Sequence, residues 1–292
     1  MLFFRFNSII LHTMRKRVLI IGLIIMAFTG VNAQYESYKQ EGEFGVGIGL
    51  GHYFGDLNTN AALNRPKFSS GIYFLKQFNN YVALKVAADY AFLGYSDQYS
   101  KNPAQFDRNL SFNTSVWEFS INGQFNFFKF IPGVEGLNYT PYISLGVGVF
   151  SYDPYAYLNG QKYYLRPLGT EGQGSALYPD KQPYSSMAVC FPLAVGFKYS
   201  LTDKVNLFGE VGYRFTTTDY LDDVSTTYAP DAFPPLPNGQ PSVAYQLQDR
   251  SFSRIGIKGR QRGNSAQNDA YVLLHVGLSF NISSYKCPTT RN

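Results

Sequence analysis

Charge is scarce in this chain. Asp, Glu, Lys and Arg make up 15% of its 292 residues against 45% hydrophobic ones, too few charges for an ordinary soluble surface. Long apolar runs are scarcer still, and the one that stands out, Val18 to Phe28, is too short to span a bilayer as a helix. It follows Arg15, Lys16 and Arg17 and precedes the small-residue pattern Val31-Asn32-Ala33, so residues 1–33 read as a signal peptide and the exported chain is expected to begin near Gln34. Residues 1–13 add an apolar stretch that a signal peptide does not need, which points to Met14 as the true start. Removing residues 1–33 takes away four basic residues and no acid, leaving 21 bases against 20 acids, so the basic balance of the full chain says little about nucleic acid. Only two cysteines are present. Cys287 falls in the tail and Cys190 near the opposite rim of the expected fold, too far apart to be bridged, and neither follows the cleavage site as a lipoprotein anchor would.

Aromatics are in excess instead, with 24 Tyr and 25 Phe beside one Trp, a composition suited to long strands and to membrane-interface girdles. Residues 81–93 place Val82, Leu84, Val86, Ala88, Tyr90 and Phe92 on one face and Ala83, Lys85, Ala87 and Asp89 on the other. Trp117, Phe119, Ile121, Phe125 and Phe127 likewise oppose Glu118, Ser120, Asn122, Gln124 and Asn126. A period of two is a strand's period. Eight such strands are predicted, near 43–54, 67–77, 81–95, 112–128, 139–151, 186–200, 204–218 and 269–281. Short connections (78–80, 129–138, 201–203) alternate with long ones (56–66, 96–111, 152–185, 219–268), so all the long loops fall on one side. The expectation is an all-β fold: an eight-stranded antiparallel transmembrane outer-membrane β-barrel over 43–282, with long outer loops, a periplasmic segment 34–42 and a periplasmic tail 283–292.

A soluble calyx alternates with the opposite sense, and charge placement separates the two. Lys85, Asp89, Glu118, Lys198, Glu210 and Arg214 share a face with Gly, Ala, Ser and Asn, and at mid-membrane a charge turned to lipid costs about 2–4 kcal/mol. These six therefore line the lumen as a charge network, in a barrel just wide enough for side chains to fill it, giving a plugged polar core and no open pore. Gly45, Gly47, Gly49 and Gly51 alternate with apolar residues along the first strand. No helix pattern follows them, so packing relief in a crowded lumen fits better than a phosphate-cradling loop.

Catalytic candidates are few. His275 and Ser279 share a lumen face, but four residues along a strand span roughly 13 Å, beyond hydrogen-bond reach. Asp219, Asp222 and Asp223 could supply hard oxygen ligands, yet their spacing matches no calcium loop, and a surface that docks a partner protein fits better. Arg250, Arg254, Lys258, Arg260 and Arg262 form a basic run on the long-loop side, where anionic outer-leaflet headgroups or an acidic partner fit better than nucleic acid. Five prolines between 229 and 241 predict an irregular stretch.

Four strings are more specific: Tyr53-Phe54-Gly55-Asp56-Leu57-Asn58, R-P-L-G-T-E-G-Q-G at 166–174, T-D-Y-L-D-D-V-S-T-T-Y at 218–228 and Q-R-G-N-S-A-Q-N-D-A-Y at 261–271. Together, and in this order, they resemble PorG-like proteins, outer-membrane barrel components of the type IX secretion system of Bacteroidetes. The resemblance implies a non-enzymatic accessory in the cell outer membrane that supports protein export, and gliding motility in some members. Its implied partners are the periplasmic ring of a PorK-like lipoprotein and a PorN-like protein, with outer-membrane lipid around it and no cofactor, metal, nucleic acid or small-molecule substrate. The matching positions are Asp56, Asn58, Gly169, Thr170, Glu171, Gly172, Asp219, Tyr220, Asp222, Asp223, Arg262, Gly263, Asn264, Asp269 and Tyr271, serving either a partner or the bracing of the loops. A lipid-modifying barrel enzyme and a generic adhesin or porin-like barrel are the competing readings.

Overall fold

A computed structural model describes residues 38–285. The expected signal peptide, the start at Met14, residues 34–37 of the amino-terminal segment and Cys287 in the tail lie outside the described residues. The strands are β1 (Tyr38–Phe54), β2 (Lys67–Gln77), β3 (Val82–Ser96), β4 (Ser111–Asn126), β5 (Tyr139–Ser151), β6 (Tyr155–Leu158), β7 (Gln161–Tyr164), β8 (Met187–Ser200), β9 (Val205–Thr216) and β10 (Ala270–Tyr285). Eight of them form one ring in the order β1-β2-β3-β4-β5-β8-β9-β10, antiparallel at each registered pairing, with β10 returning beside β1. At that seam a side chain on Gly49 would meet the Leu274 carbonyl, and one on Gly277 the Val46 carbonyl. The eight-strand ring thus closes.

The eight barrel strands are those the alternation predicts, with β1 beginning before Glu43 and β10 running beyond Ile282. The loop expected over 152–185 is not structureless. It contains the β6–β7 hairpin, whose turn is Asn159-Gly160 with φ of 53° and 80°, the left-handed pair that a two-residue turn requires. The hairpin leans on the outer end of β4 through Tyr155 and Asn113. Two short helices, α1 (Pro103–Arg108) and α2 (Val243–Gln248), also stand in predicted loops, each started by a side-chain cap, Asn102 on the Ala104 N–H and Ser242 on the Tyr245 N–H.

The outward wall is apolar across its middle band, with Ile48, Trp117, Phe119, Ile121, Leu145, Val195, Phe215 and Val276 among its exposed side chains. Aromatic rings gather at both rims: Tyr90 with Trp117, and Phe54 with Tyr213, on the long-loop side; Phe128 with Tyr139, and Tyr139 with Phe197, on the short-turn side. At a rise of ~3.4 Å per residue and a tilt near 40°, the run from Trp117 to Phe127 is about 26 Å tall, the height of a membrane barrel's apolar band. Inside, the bare face of β1 is filled by neighbours. A side chain on Gly45 would collide with the Tyr73 ring, and Gly47 lies under Phe208.

Candidate functional site

Two buried polar layers lie one above the other. The lower one fills the lumen. Register sets its pairs across the barrel: the Lys85 ammonium is 2.5 Å from Glu210, which also accepts from the Tyr142 hydroxyl at 3.0 Å. Arg214 reaches Glu118 at 3.1 Å and Asp89 at 3.4 Å, and it donates to the Gly212 carbonyl at 2.8 Å. Lys198 pairs at 2.6 Å with Glu43, which Tyr73 also contacts at 2.6 Å. All six residues expected in the lumen network lie there. Glu43 was not foreseen, because its position at the start of the glycine face of β1 disguised it. Each buried charge finds an opposite one, as a low-dielectric interior demands.

His275 sits in this layer and does not meet Ser279, whose hydroxyl accepts from Asn206 instead at 3.2 Å. Its Nε2 is 3.1 Å from Ser69 Oγ on β2 and its Nδ1 is 3.6 Å from Asp89 on β3. The order Ser, His, Asp is that of a nucleophilic triad. All three are buried, and the adjoining void is about 20 Å³, room for a water and not for an acyl chain. Cys190 is a buried free thiol in the described part of the chain, near the same end of the lumen as Tyr271.

The upper layer is built from the long loops, and here the four strings converge. Glu171 accepts from the Ser225 and Thr226 N–H groups at 2.9 Å each and from the Thr226 hydroxyl at 2.5 Å, and it pairs with Arg262 at 3.2 Å. Arg262 donates to the Asp223 carbonyl at 2.5 Å and faces that residue's carboxylate at 3.7 Å. Asp223, at φ 68°, takes further hydrogen bonds from Thr170 at 2.5 Å and Tyr184 at 2.7 Å. Gly169 and Gly172, at φ 57° and 89°, give the turns that bring Thr170 and Glu171 inward. The Tyr53 hydroxyl donates to Asp222 and reaches Asp269 at 3.0 Å, and Asp269 also accepts from the Leu221 N–H at 2.9 Å. Asp56 accepts from the Asn264 N–H at 2.8 Å, with Gly263 packed so closely that a side chain there would strike Asp56 and Ser225. Asn58 closes its own loop, donating to the Tyr53 carbonyl at 2.9 Å and accepting from the Ala62 N–H at 2.9 Å. Tyr271 ties the two layers together through its hydroxyl, 2.7 Å from Glu118. Tyr220 lies at the edge of the network, 3.5 Å from Glu171.

Arg108 was not anticipated. It clamps Asp97 with two hydrogen bonds of 2.8 Å and donates to the carbonyls of Asp56 and Arg262, so it staples three loops together. Lys181 does the same between the Glu171 and Thr227 carbonyls, at 2.8 and 3.0 Å. Burial drives several aspartates of this layer up. Asp222 and Asp269 are held well above the usual carboxylate range by desolvation and by other acids nearby. Asp219, with both carboxylate oxygens buried, is raised to about 7 by desolvation, with Ser225 pulling against it. Asp223 is raised to about 6 by burial, with Arg262 pulling against it. Among the described residues no group of three or more potential metal ligands has the geometry to hold an ion. The acidic string at 219–223 thus faces inward and braces the cap, and it does not present the exposed docking surface expected for it. Of the basic run, Arg262 is buried in the cap while Lys258 pairs at the surface with Asp231 at 2.6 Å.

A family model described as "Domain of unknown function (DUF6089)" matches residues 16–236. No curated protein matches. Among solved structures, Neisserial surface protein A is similar at 10% identity and a TM-score of 0.41, covering 85% of this chain and 100% of that one. The attachment invasion locus protein Ail of Yersinia pestis is similar at 8% identity and a TM-score of 0.39, covering 84% and 99%. The outer membrane protein OprG from Pseudomonas aeruginosa is similar at 11% identity and a TM-score of 0.37, covering 85% and 99%.

Proposed function

The chain belongs to the DUF6089 family, a domain of unknown function; we propose that it is a non-enzymatic outer-membrane component of the type IX protein secretion system. The membrane placement is supported by the apolar outward wall, bounded by aromatic girdles and wrapped around a charged lumen. The secretion role is carried by one observation. The four strings that resemble PorG-like proteins, scattered over more than 200 residues of sequence, meet in one buried network around Glu171, Arg262 and Asp222. A network of that kind keeps three long loops in a single rigid arrangement. It gives the strings a bracing role and leaves the short turns at the other rim (78–81, 127–138 and 201–204) as the surface for the periplasmic ring of PorK-like lipoprotein and PorN-like protein.

The lipid-enzyme reading has a better geometric basis than the sequence suggested, in Ser69, His275 and Asp89, but the void beside them is too small for a lipid substrate. A porin-like role is opposed by the filled lumen. Deleting the gene and restoring it with a tagged copy tests the proposal. Loss of cargo secretion with unchanged outer-membrane permeability, together with recovery of ring lipoprotein on the tagged barrel, is expected. Normal cargo secretion in the deletion strain overturns it.

A further inference from the structure

At the loop-side rim, between the outer ends of β2, β3 and β4, a groove of about 350 Å³ opens on the outward wall. Three cations line it, Arg65, Lys67 and Arg250, together with Tyr95, Tyr99 and Tyr157, and no carboxylate does. The partners of these cations are neutral. The Lys67 ammonium donates to the Asn113 side chain at 2.5 Å, Arg250 donates to the Ser111 hydroxyl at 2.8 Å, and Arg65 stacks 4.0 Å over the Tyr99 ring. Lys67 and Arg250 are both partly buried. The more deeply buried cations Lys85, Lys198, Arg108, Arg214 and Arg262 each face an acid instead. Burial also holds Arg250 below the usual guanidinium range, with no carboxylate acting on it. Three converging cations without a counter-charge form a site for an anion, and the Arg fork beside a Lys point charge suits phosphate oxygens.

Depth on the wall identifies what carries the phosphate. Asn113 pairs with Gly94, Ser115 with Phe92 and Trp117 with Tyr90, so two rungs below the cations the wall becomes apolar and aromatic. Phe68 and Phe92 are exposed just beneath the groove, and the Tyr90 and Trp117 rings lie 4.7 Å apart at the girdle. A free anion has no use for that apolar surface, whereas an amphiphile uses both. We infer that this groove binds the phosphate of an anionic lipid headgroup of the outer leaflet, with Lys67, Arg65 and Arg250 as its cations and the wall below as the track for its acyl chains. The assignment rests on the membrane placement proposed above and is independent of the secretion role.

The test is a binding titration on the full protein in nanodiscs, with diphosphoryl lipid A, phosphatidylcholine and inorganic phosphate as the probes. Removing two charge-assisted contacts in Lys67→Gln/Arg250→Gln should weaken lipid A binding by about tenfold or more. Lys67→Arg should keep it, and so should Lys258→Gln, which removes a cation elsewhere on the cap. Heat-modifiable gel mobility checks that each variant is folded; if the double variant is not, the exposed Arg65→Gln replaces it with a smaller loss expected. Equal lipid A binding by folded wild type and variants, an equal loss in Lys258→Gln, or competition by inorganic phosphate at the same concentration overturns the assignment. Failure of the wild-type protein to insert into phospholipid vesicles overturns the membrane placement itself, a separate readout.

Discussion

Arg262 is the residue on which the charge balance of the cap turns. It is buried between Glu171 and Asp223, whose hydrogen bonds fix the third and fourth long loops. Arg262→Met leaves both carboxylates buried without their cation, a change that costs about 3–5 kcal/mol in such sites. The cost falls on the loops, because the barrel ladders do not depend on this pair. Limited proteolysis should therefore cut the 217–269 loop in the variant and not in the wild type, while the heat-modifiable barrel band persists; equal resistance of the two proteins would refute the bracing role. The acids of the same layer give the cap a pH dependence. Asp219 has its pKa raised from 3.8 to about 7, so the folded cap holds a proton that the unfolded chain releases. A raised pKa means stability that is complete below about pH 4 and is lost as pH rises through about 7. Asp223, raised to about 6, acts in the same direction. Loop protection against protease should thus increase from pH 8 to pH 5, and Asp219→Asn should raise protection at pH 8 and flatten the profile. A profile that falls on acidification would contradict this.

Strand β1 shows how far a single element is decided by its neighbours. Its glycine face lets Tyr73 and Phe208 reach into the lumen, and at Gly49 the carbonyl of Leu274 occupies the space a side chain would need. Gly49→Ala pushes the β1–β10 seam apart, and overpacking of this kind costs about 1–3 kcal/mol or more. Refolding into detergent should give a smaller heat-modifiable fraction at 37 °C than wild type; unchanged yield would mean that the seam accommodates a methyl group. The barrel strands were legible in the sequence because lipid outside and packed polar groups inside impose opposite chemistry on successive residues. Trp117 to Phe127 shows this alternation most clearly. The β6–β7 hairpin was also written there, in Asn159-Gly160 between alternating residues, but the length of the surrounding loop obscured it. The α1 helix had its signal in Asn102-Pro103. What the sequence did not disclose is who meets whom across the lumen. Ser69 and His275 are 206 positions apart, and the register of strands between them sets their contact. Lys85 finds Glu210 in place of its same-strand neighbour Asp89 for the same reason. In the cap, motif residues such as Glu171 and Arg262 could be singled out one by one, whereas Arg108, outside every string, became visible only once three loops had been brought around it.

At the scale of the whole molecule, the two polar layers act as barriers in series. The lumen holds three ion-paired clusters crossing between strands on opposite walls, and its void near Arg214 has a volume of about 20 Å³. Above it the cap closes the outer mouth with hydrogen-bonded loops. An ion crossing this barrel would have to displace Lys85 from Glu210, Lys198 from Glu43 and Arg214 from Glu118, leaving buried charges unpaired each time. In planar bilayers the wild-type protein should therefore show no steady ohmic steps of porin size. Arg262→Met, which loosens only the cap, should remain closed, because the lumen layer beneath it is untouched. Shortening the lumen layer in Lys85→Ala/Glu210→Ala should also leave the bilayer insulating, since the Arg214 cluster still stands above and the Lys198 cluster below. Only combining a cap variant with loss of all three lumen clusters should produce current. Steady porin-size conductance from the wild type, or from either single-layer variant, would show that the lumen is a gated path and would return the porin-like reading to first place.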